Sequence, residues 1–185
     1  MNAHSKDMAG PLALFANRLN ALAGPERQAA AGALARTGLP DRKSEAWHYT
    51  ALRALGKQDY VAPPAQVDDS AVRTLLDGVL RAHPGMAGLP RVVFVNGRHA
   101  PAFSALPDDV ELAFFAQAPC FSLQAAPDRD PLVALNTALA EDRLPLRVIA
   151  GVDGGHVMLI SIGVAGEAPV SFPPTHTVVV APGAH

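Results

Sequence analysis

At Pro90 the spacing of apolar residues changes, and that change limits the folds open to this chain. Before it, Leu12, Phe15, Leu19 and Leu22 recur at helical spacing. Val72, Leu75, Leu76, Val79 and Leu80 then repeat the i, i+3, i+4, i+7, i+8 pattern of an amphipathic helix. After it, Arg91 to Val95 is apolar and β-branched, Asn96-Gly97 is the preferred two-residue hairpin turn, and Arg98 to Ala102 is placed to return. An all-α or all-β chain does not switch period in this way. The expectation is α+β: an N-terminal helical lobe, a mixed hairpin and helix segment, and short strands at the end.

Local signals sharpen the boundaries. Gly24-Pro25 closes the first helix and opens a second from Pro25 or Glu26 to about Thr37, with Ala29, Ala33 and Leu34 as its expected buried stripe. Asp68, Asp69 and Ser70 supply the cap and first turn of the next helix, after an extended Pro63-Pro64 linker. Val110 to Phe115 reads as a strand, and Asp130-Pro131 opens a helix with Leu132, Leu135 and Leu139 on one face. From Pro145 onward the pattern is strand and turn: Leu146 to Ala150, His156 to Val164 and Thr177 to Val180. The expected segments are a helical domain over 1–85, a mixed connecting segment over 86–144, and the first strands of a solenoid core over 145–185. A solenoid coil cannot bury its face alone. The last strand would leave an apolar edge open. Either another chain covers it, which gives a route to homo-oligomers, or the protein continues past His185; continuation is the expectation.

Composition removes several function classes. With 49% hydrophobic and 17% charged residues in 185, the chain is globular and large enough for a core. A net charge of −2 without a dense Lys/Arg face argues against nucleic acid. Cys120 is the only cysteine, so no disulfide forms within one chain, and a reducing cytoplasm is the natural setting. Pro11 to Ala16 is too short for a signal-peptide core, and no stretch approaches the ~20 apolar residues of a membrane span.

The densest local chemistry lies between Gly38 and Leu52, which holds the only Trp and one of two Tyr. Arg36 falls in the last turn of a helix, Gly38 is placed to supply a left-handed residue after it, and Pro40 prevents continuation. Asp41 can cap a short turn, and Thr50 can cap Ala51 to Leu55. The result is a helical corner pinned by Trp47. Gly38 to Ser44 echoes a phosphate loop faintly, but Arg42 stands where the second glycine belongs and no strand precedes it. Gly151, Gly154 and Gly155 read as turns. His48, three residues from Glu45, lacks a third ligand nearby, and His156 and His176 flank strands. His4, His83 and His99 read as surface histidines. Cys120 sits in the apolar run Ala118 to Phe121 and reads as a small core residue rather than a thiolate. No catalytic, cofactor or metal residue is assigned.

The pattern Leu39-Pro40-x-Arg42-Lys43-x-Glu45-x-Trp47-x-Tyr49-Thr50-x-Leu52 resembles the N-terminal signature of the SufB/SufD family of SUF iron–sulfur cluster assembly. Arg91 to Arg98 with Pro101 resembles the hairpin after that family's helical region. Gly163 to Glu167, with Thr177 to Ala184, resembles the start of its β-helix core. His48 departs from the Lys the family usually has, and the family continues well beyond residue 185. The resemblance implies a non-catalytic scaffold subunit, partnered by a SufB-like subunit and a SufC-like ATPase. The cluster would be handled by the full complex rather than by this chain. On it, Arg42, Lys43, Glu45, Trp47, Tyr49 and Thr50 are signature residues, structural or partner-facing. Two other readings stay open: a stand-alone helical adaptor without cluster chemistry, and a small metal-dependent hydrolase built on Glu45, His48 and the strand histidines.

Overall fold

The computed structural model describes residues 15, 18–19, 24–40, 45–49, 52, 60–106, 110–112, 130–140, 143–148 and 155–184. Among them are helices α1 (Pro25–Thr37), α2 (Asp69–Ala82) and α3 (Pro131–Leu139). The strands are β1 (Arg91–Val95), β2 (Arg98–His99), β3 (Val110–Leu112), β4 (Arg143–Val148), β5 (Met158–Ile162) and β6 (Thr175–Val180). The mixed α+β class expected from the change of period is what these elements make. Leu12, Leu22, Asp41, Thr50 and residues 113–115 and 149–150 lie outside the described residues. The chain divides into two compact units drawn from interleaved stretches: Met1–Ala62 with Ser122–Ala140 and Gly166–Pro173, and Pro63–Phe121 with Glu141–Ala165 and Pro174–His185.

The first unit is built around α1 and α3. Its core joins Phe15 and Leu19 to Ala30, Ala31, Ala33 and Leu34 of α1 and to Ala134, Leu135, Ala138 and Leu139 of α3. The stripe on α1 differs from the sequence expectation, because Ala29 is exposed and Ala30 and Ala31 are buried. Alanine methyls carry so little apolar area that three adjacent alanines cannot fix the face by themselves. The ends of the helices are closed as their sequences require. Gly38, at φ 69, follows α1 and donates its N–H to the Leu34 carbonyl at 2.8 Å. Asp130 accepts from the Leu132 and Val133 amides at 2.9 and 3.3 Å, with Pro131 in the first turn. At the other end of α3, Arg27 donates to the Ala140 carbonyl. Arg18 reaches the Ser171 carbonyl at 2.8 Å and lies 3.5 Å from that of Leu139. Cations at the C-terminal end of a helix meet its unpaired carbonyls and the negative pole of its dipole.

In the second unit, α2 covers one face of a sheet ordered β2-β1-β5. Asp68 caps α2, accepting from the Ser70 amide at 3.0 Å and the Ser70 hydroxyl at 2.6 Å. Val72 and Leu76 are buried and Leu80 is partly so, but Leu75 and Val79 are 44% and 40% exposed. Five apolar positions were legible, whereas the stripe that meets the sheet is narrower. β1 and β2 form the expected hairpin, with Asn96 at φ 49 and Gly97 at φ 81, both in the left-handed region that the two-residue turn needs. The return strand stops at His99 rather than Ala102, because Pro101–Phe103 turns into a short 3-10 helix. β5 pairs parallel to β1, Arg91 against Met158 through Val95 against Ile162. The second sheet is ordered β3-β4-β6, antiparallel between β3 and β4 and parallel between β4 and β6. Val92 and Phe94, on the face of β1 away from α2, cluster with Leu146 of β4.

Candidate functional site

The signature corner belongs to the first unit. Glu45–Trp47 forms a single 3-10 turn, closed by the His48 amide on the Glu45 carbonyl at 3.3 Å. In this turn Trp47 is half-buried, while Glu45, His48 and Tyr49 are exposed, Tyr49 to 97%. His48 and Tyr49 meet edge to face, with ring centroids 4.9 Å apart. A large apolar ring with a hydroxyl and almost no contact with its own core is a feature of contact surfaces. Arg42, Lys43 and Thr50 lie outside the described residues.

A second candidate surface lies in the second unit, at the edges of its sheets in the described pairing. β5 and β6 are edge strands in the described pairing. Their registers put Leu159 on the face of Val92 and Phe94, and Val178 and Val180 on the face of Leu146 and Val148. The inner members of these pairs are buried, while Leu159, Val178 and Val180 are 45%, 54% and 53% exposed. Neither edge strand contains a charged residue or a proline, the usual protections of a strand edge. Beside β5 runs a groove of about 780 Å³, with Val79, His83 and Met86 on one side and His156, Met158 and Ile160 on the other.

The polar groups near these surfaces serve the backbone. Ser104 Oγ lies 3.2 Å from His99 Nε2, accepts the Val93 amide at 2.9 Å and donates to the Ala100 carbonyl at 3.1 Å. Its hydroxyl and lone pairs are thus engaged in holding the 3-10 turn against β1, which is not the state of an activated nucleophile. His99 is half-buried, which corrects its reading as a surface histidine. His176 lies over the ring of Phe94 at 4.1 Å between centroids, while His83 and His156 are exposed. Among the described residues no group of three or more His, Cys, Asp or Glu side chains can hold a metal ion. Cys120 is outside them. The Asp68 carboxyl is held below its ordinary value of 3.8, chiefly by the Ser70 hydroxyl and then by the Ser70 amide, both of which favour the ionised form. Among the described residues no helix is long and apolar enough to cross a membrane.

Two features had no sequence signal that could be read in isolation. One is the pair of arginines at the end of α3, since nothing in Arg18 or Arg27 announces a partner so far along the chain. The other is the buried Asn96, whose Asn-Gly context predicts a turn and not a long-range contact.

No protein-family model matches the chain. The iron-sulfur cluster assembly protein SufD of Escherichia coli (strain K12) is 31% identical to it over 152 residues, 77% of this chain and 33% of that protein. The chain therefore spans about a third of the length of the curated relative it matches. The similarity to SufD is a distant one.

Proposed function

We propose that this chain is the N-terminal portion of a SufD-like scaffold subunit, which works in iron–sulfur cluster assembly beside a SufB-like subunit and a SufC-like ATPase. The observation that carries the reading is the similarity to SufD over 152 residues. In this reading the chain has no catalytic role. Its helical part and mixed segment lead into a β-helix, whose first coils are the parallel pairs β1–β5 and β4–β6. Parallel pairing at long sequence separation and edge strands without charged residues are what a strand stack needs in order to accept further strands. The signature corner, with Tyr49 presented to solvent, is the candidate contact for a partner subunit. Cluster ligands belong to the assembled complex, and the setting is the cytoplasm.

Co-expression with SufB-like and SufC-like subunits tests this. The expected result is that a tagged form of the chain brings the ATPase subunit through two purification steps. Replacing Tyr49 by Ala should weaken that recovery without changing the thermal unfolding of the chain alone. If the chain elutes alone with both candidate partners present and folded, the assembly reading is lost, and a stand-alone helical adaptor takes its place.

A further inference from the structure

Asn96 is 1% exposed, yet it stands at the tip of a hairpin, where side chains ordinarily face water. Its amide makes a reciprocal pair with one residue far along the chain. Oδ1 accepts the Val164 N–H at 2.8 Å, and Nδ2 donates to the Val164 carbonyl at 3.3 Å. Its own backbone N–H continues the parallel ladder to the Ile162 carbonyl at 2.9 Å. The side chain thus acts as one further rung, joining the β1–β2 turn to the chain that leaves β5. The following residue is Gly97, and this is the only Asn-Gly pair in the sequence.

We propose that Asn96 is a latent deamidation site that the fold keeps closed, and that its conversion releases the chain after β5. In the reaction the Gly97 backbone nitrogen, having lost its proton, attacks Asn96 Cγ. A new N–C bond closes a five-membered imide, the bond from Cγ to Nδ2 breaks, and that nitrogen leaves as ammonia. Water then opens the ring to aspartate or isoaspartate. Glycine favours the step because no side chain hinders its nitrogen. The folded turn opposes it. The amide is pinned on both of its polar atoms and turned toward Val164, and burial keeps out the water that must carry the protons. Conversion replaces a donor with a carboxylate oxygen that faces the Val164 carbonyl, and it puts a negative charge where almost no solvent reaches. An unpaired buried acceptor and a buried charge are both costly. The ladder between Asn96 and Val164 should therefore open first.

The test compares deamidation at Asn96 in the folded chain and in denaturing urea, at the same mildly alkaline pH, by peptide mapping and mass. The expected rate is at least about tenfold lower in the folded chain, because reaction must wait for local opening. The other asparagines, none followed by Gly, are internal clocks. Equal rates in the two states would overturn the gating. The second measurement is amide exchange at Val164 in Asn96→Asp, or, where that variant does not fold, in the partly converted wild-type chain with both forms read by mass. Faster exchange at Val164 in the converted form, with the Val93 amide unchanged, supports the release. Unchanged protection at Val164 would overturn it.

Discussion

The α1–α3 core and the core beneath α2 are both apolar and buried, but they finish differently. In the first, Ala30, Ala33, Ala134 and Ala138 are almost wholly buried, and small side chains let two helices approach closely. Each helix satisfies its own backbone, and its ends are closed by Gly38, Asp130 and the arginine contacts with the last carbonyls of α3. In the second, Val93, Ile160 and Ile162 are just as well covered by Val72 and Leu76. There the backbone is satisfied only between neighbours, so the last strand in each sheet carries polar groups and apolar side chains to the surface. A packed core therefore does not by itself make a finished surface. Helices end where their caps are, while sheets end only where something stops them.

Substitutions can break this contrast, and the largest effects should come from the two cores. Phe94→Ala removes a ring that is 1% exposed and packed with Val92 and Leu146, and should cost about 3–5 kcal/mol in urea unfolding. A cost below about 1 kcal/mol would mean that the two sheets are not held together there. Ala138→Leu tests the other side of the comparison. With no exposed surface at Ala138, added bulk should destabilise by about 1–3 kcal/mol, whereas a loose helix pair would absorb it at little cost. Asp130→Ala, which leaves two α3 amides without an acceptor, should cost about 1 kcal/mol.

The open edges should respond differently. Leu159→Lys and Val178→Lys put charge on half-exposed positions of edge strands, so each should change stability by no more than about 0.5 kcal/mol. Both should reduce concentration-dependent association in sedimentation, and the contrast fails if they unfold the chain instead. The smallest effect concerns pH. The folded-state pKa of Asp68 is depressed, so its stabilising contribution is present above its ordinary value of 3.8 and is lost as pH falls through the lower folded value. The difference in melting temperature between wild type and Asp68→Asn should hold near neutrality and shrink on acidification below 3.8. A difference that grows on acidification would contradict that sign.

What could be read from the sequence follows the range over which each signal acts. Pro25, Asp68 and Asp130 mark helix starts because a cap or an N1 proline acts within one turn, and all three fall where the structure begins its helices. Asn96-Gly97 marks the hairpin for the same reason. Pairing between distant strands has no such local mark: His156 to Val164 reads as a strand, but nothing in it names Arg91 to Val95 as its neighbour. The face of α1 was misjudged at Ala29 because the choice among alanines is made by what packs on them. The signature corner was legible as a turn, which Glu45–Trp47 forms. The extent of Tyr49 exposure was not, since exposure depends on the rest of the unit. Ser104 gave no signal and His99 read as a surface residue, because their contact follows from the 3-10 turn after β2.

The interleaving of the two units bears on how the chain is made. Residues 122–140, which bring α3 to α1, emerge from synthesis after β1, β2 and β3, and the residues of β6 come later still. A ribosome therefore releases α1 long before its packing partner exists, and β1 long before β5. Hairpin β1–β2 and helix α2 can form as they appear, since their contacts are local, but the α1–α3 core waits for Ala134 to Leu139 and the core beneath α2 for Ile160 and Ile162. During that interval the alanine face of α1 and the apolar strand β1 stand uncovered, and chaperones that hold nascent chains would find their longest opportunity there.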